Sequence, residues 1–254
     1  MKVLNTILTI AIFASVPAFS QVEKPCKGGR PQKDAGLIPG VVIEKVEKGS
    51  GAEKAGLRKG DFILSWSRAE ADGKIDSPFD WGWVEMEQAY LQDVTIRGMR
   101  EMQLKTWNLG QKSIHVSTRP NFSGSRLRFY TTCEKSKNKI QCLQAAGEQL
   151  ARCREEAVSA WLLEQAADLQ GETASWRKAD KIYERILSRG QDLSPLAVVD
   201  ILRFRGSLFW RHEERVKASE YYEQALAQSR RLGKDNLLTV QSLVLLSSAS
   251  WYLV

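Results

Sequence analysis

The sequence predicts a multidomain α+β protein, in which a small β-rich domain is followed by an all-α region. Residues 41–66 combine a β-branched run, glycine turns and a second apolar run, which indicates two short strands around a turn of helix. From about Lys139 onward, strand signals and prolines almost vanish, and Ala, Leu, Glu, Gln and Arg dominate. The two halves therefore belong to different structural classes.

The segment from 40 to 66 carries the strongest local signals. Residues 41–43, Val-Val-Ile, predict a strand, and residues 62–66 predict a second one. Between them, Ser50 is placed to cap a short helix, with Glu53 reaching back to the Ser50 amide. Gly56 is expected to end this helix in the left-handed conformation. The unit thus reads as strand, short helix, strand.

This unit resembles the core of bacterial PDZ domains, which follow an apolar strand with S-P-A-x-x-A-G-L and x-x-G-D-x-I. Gly51 stands in place of the usual proline. The resemblance implies a small PDZ-like β-barrel or sandwich with two helices over residues 36–121. The matching residues are Ser50, Ala52, Ala55, Gly56, Leu57, Gly60, Asp61 and Ile63.

The resemblance also implies a peptide-binding groove, because PDZ domains bind an extended peptide along a strand edge and a glycine-containing loop. Pro39 has no amide to donate and little room is left for the usual preceding strand, so a shortened or lost groove stays open. The helix predicted from Ser77-Pro78 would supply one wall, although its apolar face, which includes Met86 and Tyr90, equally fits a core. The groove candidates are Gly36, Leu37, Ile38, Gly40, Phe79 and Trp83.

The end of the first domain is marked by short strands and a turn-rich segment. Residues 94–96 and 102–107 predict a hairpin around Gly98, and residues 114–116 a further strand. Residues 122–138 are expected to be a linker, in which the alternation at 126–130 allows a short edge strand.

Residues 139–254 carry two helical segments with the same spacing of small and aromatic residues. The pattern resembles tetratricopeptide (TPR) repeats, in which small residues let paired helices approach and aromatic residues fill the gap. The resemblance implies a helical solenoid with a period of about 39–42 residues, longer than the usual ~34. A generic helical bundle is the alternative. The signature residues are Ala179, Tyr183, Gly206, Phe209, Ala218, Tyr222 and Ala225.

The last segment, residues 241–254, is strongly apolar and looks like the first helix of a further repeat. A solenoid normally ends in a helix with a polar outer face, so the chain is expected to be truncated. The order of the two modules is similar to the N-terminal part of bacterial PDZ–TPR proteins that continue into a CHAT peptidase domain.

The N-terminus has the pattern of a signal peptide. Lys2 precedes an apolar run that carries no charge, and Ala18-Phe19-Ser20 is typical of a cleavage site. Residues 1–20 are therefore predicted to be removed, residues 21–35 form a flexible segment, and the mature chain is periplasmic or extracellular without membrane insertion. Four cysteines remain, with three complete pairings open: Cys26, Cys133, Cys142 and Cys153.

Composition narrows the function classes. The net charge of +7 arises from Lys and Arg that alternate with Glu and Asp, as on a solvated helical surface, and nucleic acid is not an expected partner. His115 and His212 are isolated from most cysteines, so no metal, cofactor or catalytic set is predicted. The leading hypothesis is an exported, non-catalytic scaffold for protein or peptide partners, of unknown oligomeric state. The alternative is the regulatory N-terminal fragment of a CHAT-type peptidase, or a protease-associated adaptor.

Overall fold

The computed structural model describes residues 26–27, 30–31, 39–110, 114–153, 155–233 and 236–251. The chain is mixed α+β: a six-stranded antiparallel sheet precedes a series of packed helices. The predicted signal peptide, residues 1–20, lies outside the described residues, as does most of the segment 21–35.

The first half of the described chain is built around the sheet. Two short strands, β1 and β2, pair with each other before this sheet begins. The strands of the six-stranded sheet run in the order β7-β6-β4-β3-β8, and β5 pairs with β4. All pairings are antiparallel. The strands are β1 (Cys26–Lys27), β2 (Arg30–Pro31), β3 (Val41–Val46), β4 (Phe62–Arg68), β5 (Ala71–Lys74), β6 (Val94–Arg100), β7 (Gln103–Leu109) and β8 (Val116–Pro120).

The turn between β3 and β4 forms as predicted, with one change in its hydrogen bonds. The Ser50 hydroxyl caps α1 (Gly51–Lys54) by accepting the Glu53 N–H at 3.1 Å. The Glu53 carboxylate reaches one residue further back than expected and accepts the Gly49 N–H at 2.7 Å. Gly56 is left-handed, with φ of +83°.

Asp61 ties this turn to the end of β6, the strand next to β4. Its buried carboxylate accepts the Arg58 N–H and receives the Arg100 guanidinium on both oxygens, each at 2.7 Å. The same guanidinium donates to the Gly56 carbonyl. A bidentate pair of this kind both neutralises a buried charge and fixes geometry, so Asp61 holds the turn against β6.

The hairpin of β6 and β7 turns later than the sequence indicates. Glu101 and Met102, both with positive φ, form the turn, whereas Gly98 lies inside β6. A Cβ at Gly98 would lie 1.9 Å from the Phe62 carbonyl oxygen of β4. This glycine therefore permits close approach of two strands, and the prediction that it marks the turn is wrong.

The helices follow β5 and then fill the second half. In the segment 78–91, α2 and α3 are joined by a π-helical turn, Val84–Gln88, and this segment is called the bridging helix below. The helices α4 to α10 are called the helical array, with 3₁₀ turns at Gly190–Asp192 and Arg230–Leu232. The helices are α2 (Pro78–Trp83), α3 (Ala89–Leu91), α4 (Gly124–Lys135), α5 (Lys139–Arg152), α6 (Glu156–Gly171), α7 (Arg177–Leu187), α8 (Pro195–Arg211), α9 (Arg215–Ser229) and α10 (Leu237–Trp251).

The segment 122–138 is folded into the array and is not an extended linker. Residues 126–130 lie in α4, so the edge strand allowed by the sequence is not formed. Tyr130 and Cys133 are buried at the +3 spacing of one helical face, and this burial selects helix over strand. The Cys133–Cys142 disulfide, with Cα atoms 5.4 Å apart, joins α4 to α5 across the turn between them. Cys153 is also disulfide-bonded.

Glycines allow close contacts between helices of the array. A Cβ at Gly206 of α8 would lie 2.5 Å from Cε1 of Tyr222 on α9, so the tyrosine ring occupies the space of a missing side chain. Gly147 meets Leu163 at 2.6 Å in the same way, and Gly171 meets Leu208 at 2.8 Å. These close contacts need glycine, because real Cβ atoms do not approach so near.

The packing at Gly206 predicts the effect of adding one methyl group. Gly206→Ala should lower the free energy of unfolding by about 1–3 kcal/mol, because Tyr222 is buried and its ring must shift. Gly82→Ala is the matched helical control, since its nearest heavy atom would be 3.8 Å away, and it should stabilise by up to ~1 kcal/mol. Urea unfolding followed by circular dichroism measures both. A Gly206→Ala chain at least as stable as the parent would contradict the packing described.

Candidate interaction site between the sheet and the helical array

The bridging helix begins at a well-defined cap. The Ser77 hydroxyl accepts the Asp80 N–H, and the Asp80 carboxylate accepts the N–H groups of Ser77 at 2.8 Å and Asp76 at 3.1 Å. Pro78 occupies the first turn, where no amide donor is needed. This reciprocal cap fixes where the helix starts and which faces it presents.

The bridging helix is buried on two sides. Trp81, Val84 and Ala89 belong to the core of the sheet, whereas Phe79, only 5 % exposed, belongs to the core of the helical array. The helix contacts α6, α8 and α10, so these three helices form the inner face of the array. The bridging helix thus contributes side chains to both the sheet core and the array core.

The π-helical turn explains why the predicted apolar stripe continues only in part. A π turn contains more residues than an α turn and rotates every later side chain around the helix axis. As a result Ala89 is buried, and Tyr90, which the spacing placed on the inner stripe, is 59 % exposed. Met86 lies beside α8, in the wall of a cleft that is described below.

A carboxylate of the bridging helix meets the start of α10. Glu87 is buried and accepts the Leu237 N–H at 2.5 Å, and the Leu238 N–H also bonds to it. Asn236 caps the same end by accepting the Thr239 N–H at 2.8 Å. The first amides of a helix lack partners within it and carry partial positive charge, so Glu87 is a favourable partner. Burial nevertheless raises the pKa of Glu87 above its ordinary value.

A second polar junction connects β3 and β8 to α4. Tyr130 donates from its hydroxyl to Glu44 at 3.3 Å, and Arg119 lies 3.3 Å from the same carboxylate. Burial raises the pKa of Glu44, while the Arg119 charge opposes that rise. Beneath this junction the rings of Phe122, Tyr130 and Trp161 pack against one another with centroids 5.1–6.3 Å apart.

A cleft of about 470 Å³ remains between the bridging helix and the inner face. Three carboxylates lie in its wall: Glu164 of α6 and Asp200 of α8 are buried, and Glu85 of the bridging helix is half-buried. Burial raises the pKa of Glu164 to about 7 and that of Asp200 to about 6. The Arg203 guanidinium, 3.1 Å from Asp200, opposes the rise at Asp200.

Sequence reasoning missed these two carboxylates, because it assigned the charges of the second half to a solvated surface. A local signal was present. Glu164 directly follows Trp161-Leu162-Leu163, and Asp200 lies between Val199 and Ile201, so each adjoins an apolar run. A lone acid inside an apolar run of a helix indicates a buried, functionally interesting carboxylate.

The predicted groove residues are not brought together on one open surface. Gly36, Leu37 and Ile38 lie outside the described residues. Gly40 is buried where a Cβ would lie 2.3 Å from the Phe62 ring, whereas Phe79 is enclosed by the array. Trp83 is half-buried and does not line the cleft. On the helix that should form a groove wall, Phe79 therefore packs into the array.

The predicted signature residues of the second half are all buried in the helical array. Ala179 and Tyr183 pack in the large core that also contains Phe79, while Phe209, Ala218 and Tyr222 form a second cluster near α10. The Tyr222 hydroxyl lies 3.2 Å from the Ser207 hydroxyl, whereas the Tyr183 hydroxyl has no hydrogen-bond partner in the described structure.

No family model, curated protein or solved structure matches the chain. Among the described residues, none of the helices combines the length and apolar character needed to cross a membrane. The same residues contain no group of three or more His, Cys, Asp or Glu side chains placed to hold a metal ion.

The buried state of Glu164 predicts a specific pH dependence. Its folded pKa of about 7 exceeds the ordinary 4.5, so its contribution to stability is fully present below pH 4.5 and is lost as the pH rises to about 7. Glu164→Gln should therefore be more stable, relative to the parent, at pH 8 than at pH 4.5 by about 2–3 kcal/mol. Urea unfolding at the two pH values measures the difference.

Glu172→Gln serves as the control, because Glu172 ends the same helix with a side chain 65 % exposed. This variant should leave the pH dependence of unfolding close to that of the parent. An equal shift in both variants, or no shift in Glu164→Gln, would show that Glu164 is not held in a desolvated site.

Proposed function

We propose that the protein is an exported, non-catalytic scaffold that binds protein or peptide partners, built from a PDZ-like module and a TPR-like array. The PDZ-like module comprises the sheet and the bridging helix, and the TPR-like array comprises the paired helices after it. Export rests on the signal-peptide pattern of residues 1–20.

The PDZ-like assignment is supported by the local geometry of the β3–α1–β4 unit. The Ser50 cap and the left-handed Gly56 lie where the sequence predicts them, and the matching Asp61 is buried and pairs with Arg100 at the same turn. The later helix is followed by a hairpin and a last strand that pairs with β3. The second half supports the TPR-like assignment through Gly206, which meets an aromatic ring of the next helix.

The observation that carries the proposal is the occupancy of the inner face of the array. The helices α6, α8 and α10 already hold a helix of another module, the bridging helix, with an apolar anchor at Phe79 and a polar contact at Glu87. An apolar anchor with a few placed polar groups is how grooves recognise helical segments. This packing supports the proposal that the array binds segments of other proteins.

The scaffold proposal predicts selective peptide binding by the mature chain, residues 21–254. Selection from a random peptide library, with free C-termini and with internal sequences, should return peptides that share a pattern and bind with micromolar Kd. Phe204→Ala should weaken them, because Phe204 is an exposed side chain at the cleft on the inner face. Val216→Ala, at an exposed position of α9 that does not line the cleft, is the matched control.

Circular dichroism establishes that each variant is folded before binding is compared. A folded chain that enriches no sequence pattern over scrambled peptides would contradict the scaffold function. If Phe204→Ala and Val216→Ala weakened peptide binding equally, the inner face would not be the binding surface.

A further inference from the structure

The cleft between the bridging helix and the array contains one buried charge without a counter-ion. Glu164 is 6 % exposed, and its carboxylate accepts a hydrogen bond from the neighbouring Gln165 amide at 2.8 Å. Among the described residues, no Lys, Arg or His lies within ion-pair distance of it. A buried carboxylate is costly unless it is paired, so this position favours a positive charge supplied from outside.

The other carboxylates of the cleft are already engaged. Asp200 is paired with Arg203 at 3.1 Å, and Glu85 accepts the His115 N–H at 2.6 Å. A metal ion would require several free ligands, and the described residues offer no such group. One unpaired carboxylate is suited to a single organic cation, such as an ammonium or guanidinium group.

Aromatic and aliphatic side chains form much of the cleft wall, which also includes Gln165, Ser207 and the Arg203 that pairs with Asp200. Trp161 stands one turn before Glu164 on α6, and Phe204 lies on α8. Ring faces attract cations, and apolar walls favour a ligand with an apolar stem. The volume of about 470 Å³ falls within the range of small-molecule sites. The apolar members of the wall are Pro78, Phe79, Met86, Trp161, Phe204 and Leu245.

We propose that this cleft binds a small organic cation, in which an ammonium group pairs with Glu164 and an apolar stem packs against the aromatic wall. The site is separate from any strand edge that a PDZ-like module would use. It also does not depend on the scaffold function, because a small amine can bind whether or not the chain has peptide partners.

Calorimetric titration of the mature chain tests the site with two probes of nearly equal shape. Phenethylammonium carries the charge, and 2-phenylethanol is its neutral counterpart. At pH 8, the ammonium should bind with a submillimolar Kd and at least about tenfold more tightly than the alcohol. Equal affinities would overturn the proposal, as would no binding of the ammonium up to about 10 mM by the folded chain.

Three variants measure separately how the ammonium charge and the apolar stem contribute to binding. Glu164→Gln should weaken binding of the ammonium by about tenfold or more and leave the affinity for the alcohol unchanged. Asp168→Asn, one turn along α6 with a side chain 55 % exposed, should change neither affinity by more than about twofold. Phe204→Ala, at an exposed position that keeps the fold, should weaken both probes.

The variants also give outcomes that contradict the site. If Asp168→Asn weakened the ammonium as much as Glu164→Gln, the effect would come from general surface charge and the proposed pairing would be wrong. If Phe204→Ala left both probes unchanged, the stem would not lie in this cleft.

Discussion

The bridging helix has to satisfy two cores at once. One side supplies Trp81 and Val84 to the sheet, and the other supplies Phe79 to the helical array. The start of such a helix must be fixed, which the Ser77–Asp80 cap achieves. Because the helix is shared, a change that rotates or shortens it would disturb the packing of both cores. The π-helical turn at Val84–Gln88 is what orients the second half of the helix.

Electrostatics at this junction follow from the same constraint. Enclosing the helix also removes acidic side chains from water, and their partners differ. Glu87 accepts hydrogen bonds from the first amides of α10, Asp200 pairs with Arg203, and Glu164, in the described part of the chain, accepts a hydrogen bond only from a neighbouring side-chain amide. The cost of burial is visible as raised pKa values at all three carboxylates. Buried charges at such an interface are tolerated when they are paired. Glu164 has no charged partner among the described residues, so a cationic ligand would gain most binding free energy by pairing with it.

Local signals made the strands around Ser50 and Gly56, the cap at Ser77 and the small-residue contact at Gly206 predictable, because each depends on near neighbours or on helix spacing. Gly98 was misassigned because a turn glycine and a close-approach glycine look the same in sequence. Residues 126–130 alternate like a strand, yet long-range burial of Tyr130 makes them helical. The inner-face contact and the buried Glu164 arise between distant segments, which a local pattern does not encode.

Amide hydrogen exchange at Leu237 and Leu238 tests the docking of the bridging helix most directly. These amides begin α10 and have no acceptor within their own helix, so Glu87 is the partner that protects them. Docking predicts that both exchange slowly in the full chain, and that Glu87→Ala accelerates them while the middle of α10 stays protected. Exchange of Leu237 and Leu238 at the rate of free amides in a folded chain would contradict the docked arrangement.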